Sequence, residues 1–286
     1  MPELPEVESL RRDLEARILG ARVEQSRLLR PDVLHRSADA PEVPLPTGSV
    51  VTRLLRHGKQ LVVETSNHGC LLVHLGMSGS LRVVPDHDAG SIDHERHVHA
   101  RWTLRTTRGA LVHLRHRDPR RFGWLESHAS LQSILDTCWN QLGPDALTVE
   151  SSALIAAFKG SRRALKSALL DQSVTAGIGN IYVDESLFRA GLHPCMPVQR
   201  LKPDQVDRLA VIIRKVLQQA VDRGGSTIQD HRTADGGWGS FQKLHKVYGR
   251  AGLPCTTCKA PLTSRLVQQR MTVFCKSCQP RRPGRP

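Results

Sequence analysis

Hydrophobic residues near the N-terminus recur with helical periodicity. The apolar positions are three or four residues apart, at Val7, Leu10, Leu14 and Ile18. Because this spacing places apolar side chains on one side of a helix, and Gly20 supplies a stop signal, residues 5–19 are predicted to be helical. Pro2 and Glu3 then lie at or just before the N-terminal end of that helix.

Residues 21–125 follow a different pattern, in which short apolar runs alternate with turn signals. The runs cover residues 50–51, 61–63, 71–73, 81–84, 102–104 and 110–114. Six or more short strands separated by Gly or Pro are typical of a β-sandwich. From about residue 131 the spacing becomes helical again, so the chain is predicted to have an α+β fold.

The strongest helical pattern covers Pro203 to Arg223, before Gly224 and Gly225. Its apolar stripe consists of Val206, Leu209, Ala210, Ile213, Val216, Leu217, Ala220 and Val221. A stripe of this width is predicted to face a core. Shorter apolar faces are predicted for a helix that contains Leu154, Ile155 and Phe158, for residues 165–170, and for residues 181–190, which end at Gly191.

Composition excludes several classes of protein. The 286 residues are 39% hydrophobic, which allows packed cores, and the length suffices for two or more domains. The longest apolar runs fall far short of the ~20 residues that a membrane span needs, so no membrane partner is expected. The N-terminus lacks the basic stretch and apolar core of a secretory signal, which predicts a cytoplasmic location.

The net charge of +14 is concentrated at the C-terminal end. Residues 236–286 contain ten Lys and Arg and no acidic residue. Clustered cations favour an anionic polymer, because phosphate neutralisation releases counterions, so nucleic acid is the predicted partner. A solvated tail and an anionic-membrane patch are the alternatives, and the cluster lacks the amphipathic basic helix expected of the membrane patch.

Four of the seven cysteines have the spacing of a zinc site within this basic end. They are Cys255, Cys258, Cys275 and Cys278, arranged as C-x2-C-x16-C-x2-C. Two such pairs supply four thiolates to a tetrahedral ion, which predicts one structural Zn²⁺ with no open position. Two disulfides are the alternative, which a cytoplasmic location disfavours. Residues 262–274 between the pairs are predicted to form a β-hairpin.

Other candidate ligands are predicted to have ordinary roles. Cys70, Cys138 and Cys195 lack partner spacing and are interpreted as small buried hydrophobic residues. Residues 86–99 contain four histidines interleaved with acids, and this composition favours a solvated loop over a metal site.

Several short motifs, taken in their order along the chain, resemble those of a known protein family. They are Pro2-Glu3-Leu4-Pro5-Glu6-Val7-Glu8, Asp171-Gln172 with Ala176-Gly177-Ile178-Gly179-Asn180-Ile181-Tyr182-Val183-Asp184-Glu185, Val247-Tyr248-Gly249-Arg250, and the four cysteines. Together they closely resemble the bacterial formamidopyrimidine-DNA glycosylases of the Fpg/Nei family, from Pro2 to Gln279. Leu4, where the endonuclease VIII branch typically has Gly, favours the Fpg branch. Departures, such as Thr175 where Val is frequent, remove no chemical group from the implied site.

The resemblance implies a domain order and a partner. It places an N-terminal catalytic β-sandwich at residues 1–130, a helix-two-turn-helix DNA-binding domain at 131–242, a zinc finger at 243–280 and a basic tail at 281–286. The implied protein is a monomer that acts on double-stranded DNA with oxidised bases or abasic sites.

Pro2 and Glu3 are the implied catalytic pair. Removal of Met1 leaves Pro2 as a secondary amine, which can attack the sugar carbon of a damaged nucleoside, expel the base and form an iminium ion. Glu3 would protonate the sugar ring oxygen and assist its opening. Their alternative readings are a proline in the first helical turn and a helix-capping acid.

The resemblance assigns further residues to DNA. Lys59 and Arg270 would contact phosphate at the catalytic centre, and Asn180 would share a phosphate clamp with Arg270. Met77, Arg120 and Phe122 would fill the gap left by a flipped nucleotide, since they can adapt, hydrogen-bond the orphaned base and wedge between base pairs. Lys166 and His99 match family positions associated with the lesion and the DNA backbone. Residues 226–240, with Trp238, correspond to the loop over the flipped base.

The sequence therefore predicts a DNA glycosylase and abasic-site lyase. Its substrates would be oxidised purines, namely 8-oxoguanine and formamidopyrimidines, processed through a Pro2 Schiff base and β,δ-elimination. The alternatives are an endonuclease VIII-like preference for oxidised pyrimidines and a non-catalytic DNA-lesion-binding protein. The joint presence of Pro2, Glu3 and Lys59 favours the enzyme, because a binding protein has no need of a proline amine.

Overall fold

The structure, a computed structural model, describes residues 2–36, 40, 42–87, 96–226 and 239–281. The chain divides into two compact units. The first comprises residues 1–141 and 223–240, and the second comprises residues 142–222 and 241–286. Most of the predicted loop at 86–99, Trp238 and the tail beyond Arg281 lie outside the described residues. The finer predicted division into three domains and a tail stays a prediction.

The first unit consists of helix α1, Leu4–Ile18, and two β-sheets, with the short helix α2, Leu131–Thr137, near its end. The strands are β1 Arg22–Leu28, β2 Leu34–Arg36, β3 Val51–His57, β4 Gln60–Thr65, β5 Cys70–His74, β6 Ser80–Pro85, β7 Val98–Arg105, β8 Leu111–Arg117 and β9 Trp124–His128. One sheet has the order β1-β7-β8-β6 and the other has the order β2-β9-β5-β4-β3. All neighbours are antiparallel except β2 and β9.

Buried side chains from both sheets and from α1 form a single core, as a β-sandwich requires. Leu14 of α1, Leu61 of β4 and Trp102 of β7 belong to it. The N-terminal helix and six strands are therefore confirmed. Strands β1, β2 and β9 were missed, because β1 buries only Val23 fully, β2 has three residues, and β9 has only two apolar residues, Trp124 and Leu125.

The second unit is helical and carries a β-hairpin. Its helices are α3 Ser151–Phe158, α4 Leu165–Leu169, α5 Asn180–Ala190 and α6 Pro203–Val221. The eight buried residues of α6 are the eight of the predicted stripe. One expectation was wrong, since Ile155 of α3 is 44% exposed and does not face the core. Among the described residues, no helix combines the length and the apolar character that a membrane span requires.

The predicted hairpin is present as β10, Thr263–Val267, and β11, Arg270–Phe274. Val267 pairs with Arg270, so Gln268 and Gln269 alone form the turn. Both have positive φ, 47° and 58°, as a type I′ turn requires. The turn therefore places Arg270 beside the tip of the hairpin, where its side chain is exposed.

Candidate active site

A pair of buried acids lies directly after Pro2. Glu3 is 3% exposed and Glu6 is fully buried in the first turn of α1. The Glu3 backbone N–H donates to Glu6 Oε2 at 2.8 Å. Pro2 is itself buried. The chain start is therefore held within the first unit, with a carboxylate on each side of the first helical turn.

Glu6 also anchors a segment that is distant in sequence. The backbone N–H of Ser226 donates to Glu6 Oε1 at 2.7 Å. Gly225 has a φ of +80°, and a Cβ added there would lie 2.6 Å from Glu6 Oε1. Only glycine therefore fits at this position. The sequence contains Glu6 as part of the first motif, but it did not indicate the contact with Gly225, because 219 positions separate the two residues.

Lys59 lies between β3 and β4 and is half-buried. Burial, and secondly the charge of Lys59, lower the pKa of His74 on β5. The His74 ring stacks on Trp124 with the ring centres 5.4 Å apart, and its Nδ1 accepts from the Gly76 N–H at 3.3 Å. A neutral His74 thus connects Lys59 to the loop that carries Met77.

Two loops of the first unit lock together through their backbones. At Gly76, whose φ is +59°, an added Cβ would overlap the main chain of Phe122. Ser78 Oγ donates to Asp118 Oδ1 at 2.5 Å, and the Gly123 N–H donates to Asp118 Oδ2 at 2.7 Å. Asp118 is 1% exposed, so the loops share a buried polar anchor that sequence reasoning did not identify.

These loops present the three predicted gap-filling side chains together. Met77 is 40% exposed and Phe122 is 48% exposed, which is unusual for large apolar residues. The Arg120 guanidinium lies 4.5 Å from the centre of the Phe122 ring. A cation over an aromatic ring is mutually stabilising. The trio therefore forms an exposed apolar and cationic projection on a rigid base.

His99 is turned into the protein rather than towards solvent. It is 4% exposed, and its Nε2 lies 2.8 Å from the Asp118 carbonyl oxygen. The neighbouring His116 is fully buried, and burial lowers the pKa of His116 to about 4 against the opposing charge of Asp118. A direct DNA contact by His99 stays a prediction.

In the second unit, Lys166 of α4 is fully buried, although lysine is usually exposed on a helix. Its Nζ donates to Asp184 Oδ1 at 2.7 Å and to the Met271 carbonyl oxygen at 3.3 Å. Asp184 Oδ2 accepts from the Val273 N–H at 3.0 Å. Burial raises the pKa of Asp184 to about 6, although the Lys166 charge opposes the rise. This ion pair joins α4 and α5 to the hairpin.

The adjacent residue on α5 holds the segment that leads to the cysteines. Glu185 is fully buried and its Oε1 accepts from the backbone N–H groups of Lys246, Val247 and Tyr248 at 2.9–3.0 Å. Asn180, at the start of α5, donates from Nδ2 to the Met271 carbonyl oxygen at 3.1 Å. One helix therefore positions both the hairpin and the segment before the first cysteine. Asp184 and Glu185 were visible only as part of a motif, without a role.

The four predicted metal ligands meet at one point. The Sγ atoms of Cys255, Cys258, Cys275 and Cys278 lie within 4.8 Å of one another. Two of the separations are 3.9 Å and 3.4 Å. Thiolates bound to a tetrahedral ion with bonds of about 2.3 Å lie about 3.8 Å apart, so the cluster can hold one metal ion.

Fold and clusters together define a class of nucleic-acid-binding proteins, in which an N-terminal β-sandwich is followed by a helical unit with a cysteine-bound hairpin. Two family models match this chain. The formamidopyrimidine-DNA glycosylase N-terminal domain matches residues 1–125, and the formamidopyrimidine-DNA glycosylase H2TH domain matches residues 142–232. The chain belongs to the formamidopyrimidine-DNA glycosylase family.

Individual relatives are similar to this chain over almost its whole length. The formamidopyrimidine-DNA glycosylases of Hydrogenovibrio crunogenus and Xanthomonas campestris are 38% and 39% identical, each over 98% of this chain and over 96% and 100% of their own lengths. The crystal structure of the Thermus thermophilus MutM (Fpg) protein has a TM-score of 0.83 at 38% identity, covering 99% of this chain and 100% of its own. Lactococcus lactis Fpg has a TM-score of 0.85 at 30% identity, covering 98% and 100%.

Proposed function

We propose that this protein excises oxidised purines from duplex DNA and cleaves the resulting abasic site, with Pro2 as the nucleophile. The main observation that supports this proposal is the arrangement at the chain start, where Pro2 is followed by the buried Glu3 and Glu6. The similar structures include MutM with DNA that contains carbocyclic 8-oxo-G, a Lactococcus lactis Fpg mutant with Fapy-dG DNA, and Lactococcus lactis Fpg with abasic-site DNA. These substrates define the proposed range.

The chemistry requires one amine and one proton donor. The Pro2 nitrogen forms a bond to C1′ of the flipped nucleoside while the bond from C1′ to the base breaks, and the base leaves with that electron pair and a proton. Glu3 protonates the ring oxygen, which opens the sugar and leaves an iminium ion at C1′. Loss of a C2′ proton to water gives an enamine, whose electron pair expels the 3′ phosphate and restores a conjugated iminium. Loss of the C4′ proton then expels the 5′ phosphate in the same way.

Other residues of both units would hold the DNA. Lys59, Arg270 and Asn180 would contact phosphate, as cations and amides do at fixed positions along a nucleic acid backbone. The exposed trio of Met77, Arg120 and Phe122 would enter the stack when the damaged nucleotide leaves it. Unstacking costs a few kcal/mol per base step, and such insertion offsets that cost. Lys166 would act through the hairpin that it supports, and His99 through Asp118.

Zinc is the proposed occupant of the cysteine cluster. Four thiolates form a closed shell of the kind found in structural zinc sites, so the ion would stabilise the hairpin and take no part in catalysis. We propose that residues 243–280 function as a zinc-finger module attached to α5 and that the protein acts as a monomer in the cytoplasm of a bacterium. The basic end would then supply general affinity for DNA.

Borohydride trapping tests the assignment of Pro2. The full chain is mixed with an 8-oxoguanine duplex and sodium borohydride, which reduces the iminium ion to a stable covalent adduct. Peptide mapping is expected to locate the adduct on Pro2. An N-terminal extension that blocks the amine is expected to abolish it, whereas the same extension at the C-terminus is the matched control. An undiminished adduct with the blocked N-terminus would refute the assignment.

The same assay separates the remaining alternatives. A panel of duplexes with 8-oxoguanine, a formamidopyrimidine, an oxidised pyrimidine and an abasic site is trapped in parallel. Stronger trapping on the oxidised purines is expected. Stronger trapping on the pyrimidine would instead support the endonuclease VIII-like preference, and lesion binding without any adduct would indicate a non-catalytic protein.

A further inference from the structure

A second group of metal-binding side chains lies in the first unit, far in sequence from the four cysteines. Glu126 and His128 are two positions apart on β9, so they share a face of the sheet. Leu125, the residue before Glu126, belongs to the sandwich core, and side chains alternate along a strand, so Glu126 and His128 face the opposite side. Cys138 ends the adjacent helix α2 and completes the group.

The distances within the group are those of a metal coordination shell. Glu126 Oε1 lies 3.3 Å from His128 Nε2, and Cys138 Sγ lies 3.8 Å from the same nitrogen. Cys138 Sγ lies 3.9 Å from Glu126 Oε2. Zinc bonds of about 2.0–2.3 Å at tetrahedral angles place neighbouring oxygen, nitrogen and sulfur ligands about 3.4–3.6 Å apart. The carboxylate faces His128 with Oε1 and Cys138 with Oε2, and each of the three separations is within a few tenths of an ångström of this range. One ligand atom from each residue lies within 4.8 Å of the other two.

The orientation of His128 distinguishes a metal site from a proton relay. In a relay, the nucleophile and the orienting acid bind different nitrogens of the imidazole ring. Here the carboxylate and the sulfur both face Nε2, while Nδ1 lies 3.1 Å from Ser133 Oγ. Three ligand atoms therefore converge on one point. A partner on the other nitrogen is also what a metal-bound histidine usually has, because it fixes the ring orientation.

We propose that Glu126, His128 and Cys138 bind a zinc ion, with a water molecule in the fourth position. Thiolate, imidazole and carboxylate together favour zinc among the common divalent metals, and three protein ligands leave one position open. His128 is 1% exposed, whereas the Glu126 side chain is 24% exposed and Cys138 is half-buried. An ion can therefore enter from the side of Glu126, and binding releases the Cys138 thiol proton to solvent.

The ion would attach α2 to β9. The helix supplies one ligand, Cys138, and also the hydroxyl of Ser133 that orients His128. Ser133 is itself held by the helix cap, because its N–H donates to Ser130 Oγ at 3.2 Å. This placement corrects the expectation that Cys138 is a plain buried hydrophobic residue.

Zinc content measured by mass spectrometry tests the proposal. The full chain is equilibrated with zinc and then passed through a desalting column. About two zinc ions per chain are expected, one at each thiolate-containing cluster. Cys138→Ser and the isosteric Glu126→Gln are each expected to lower the content to about one, whereas Cys195→Ser, which removes another half-buried thiol, retains about two. A content unaffected by both site variants, or a wild-type content of one, would overturn the proposal.

Cobalt absorption provides a second, spectroscopic test, which can be read in the wild-type protein and does not require any single variant to fold. Cobalt bound to four thiolates absorbs more strongly in the sulfur charge-transfer region than cobalt bound to one. Cys138→Ser is expected to remove only the weaker component, and Cys255→Ser only the stronger one. Ser133→Ala is expected to weaken cobalt binding at the weaker site by about 10–100-fold, because it frees the His128 ring. A wild-type spectrum without a one-thiolate component would contradict the site, whatever the state of the zinc finger.

Discussion

Ser78 donates a hydrogen bond to Asp118 across 2.5 Å, and both side chains are buried. This bond joins two loops that are 40 positions apart, one carrying Met77 and the other carrying Arg120 and Phe122. The side chains that would replace a flipped nucleotide are therefore held in place by a buried hydrogen bond between the loops that carry them. A wedge can unstack DNA only if the loops that carry it resist displacement, so we expect Asp118 to act as a positioning residue for lesion recognition.

We expect Asp118→Asn to reduce excision more than general DNA affinity. The amide cannot accept hydrogen bonds at both ends, so either the Ser78 hydroxyl or the Gly123 N–H loses its acceptor at a cost of about 1–3 kcal/mol. Excision from an 8-oxoguanine duplex should fall by roughly tenfold or more, as 1.4 kcal/mol corresponds to a factor of ten. Affinity for undamaged duplex should change little. Ser80→Ala, a neighbouring buried serine, serves as the control, and equal losses in both variants would refute the role of Asp118.

Gly225→Ala is expected to displace Glu6 and with it the start of the chain. The added Cβ would lie 2.6 Å from Glu6 Oε1, and alanine at a φ of +80° also pays a backbone penalty of about 1–2 kcal/mol. Borohydride trapping should fall at least tenfold, a change of 1.4 kcal/mol in barrier height. Gly109→Ala has the same backbone penalty, with a φ of +82° and no atom within 4 Å. If the two variants trapped DNA equally, the clash with Glu6 would have no catalytic effect.

The buried pair of Lys166 and Asp184 should be coupled. Lys166→Met leaves Asp184 without its cation and is expected to destabilise the second unit by about 3–5 kcal/mol. The double variant Lys166→Met with Asp184→Leu should be more stable than the single variant, because no uncompensated charge remains buried. Urea unfolding followed by the fluorescence of Tyr182 and Tyr248, both in the second unit, measures the difference. A stable Lys166→Met variant with a selective loss of lesion excision would instead support a direct contact between Lys166 and DNA.

The stability of the first unit should depend on the ionisation of Glu8. Burial works to raise the pKa of Glu8, but hydrogen bonds from Arg11, Arg12 and Arg56 outweigh it and lower the pKa from 4.5 to about 2. Because the folded-state pKa lies below the unfolded one, the stabilisation is complete above pH 4.5 and is lost as the pH falls towards 2. Glu8→Gln should therefore cost at most about 3 kcal/mol at pH 7 and progressively less in acid.

Trp102, Trp124 and Trp139 lie in the first unit, so their fluorescence reports its unfolding. Glu15→Gln is the matched control, since its side chain is 41% exposed and its pair with Arg11 is worth only about 0.3–0.5 kcal/mol. A Glu8→Gln deficit that stayed constant from pH 7 to pH 3 would show that packing, not charge, explains the effect.

Local patterns predicted a large part of this molecule. The period of the apolar residues located α1 and the buried face of α6, and the cysteine spacing located the metal cluster. The patterns failed where a strand has few buried residues, as in β1, or where a helical position that fits the period is left exposed, as at Ile155.

Burial of charge could not be foreseen in the same way. Lys166 has the sequence context of an exposed helical lysine, yet its ammonium group is enclosed by Asp184 and a carbonyl of the hairpin, which is about a hundred positions away. A buried charge is stabilised only when folding brings an oppositely charged or polar partner next to it. Because that partner is distant in sequence, the residues around Lys166 do not predict its burial.

The sequence by itself determined which chemical groups this protein has: the proline at the chain start, the acid beside it, the four thiolates and the family to which they belong. Those features are contiguous or regularly spaced along the chain, so they can be recognised from the sequence alone. Tertiary structure decided which groups meet, as Glu6 meets Ser226, Ser78 meets Asp118, and Glu126, His128 and Cys138 surround one point. Such contacts depend on how the sheets and loops bring together residues that are far apart in sequence. Neither the hydrophobic periodicity nor the spacing of motifs contains that information.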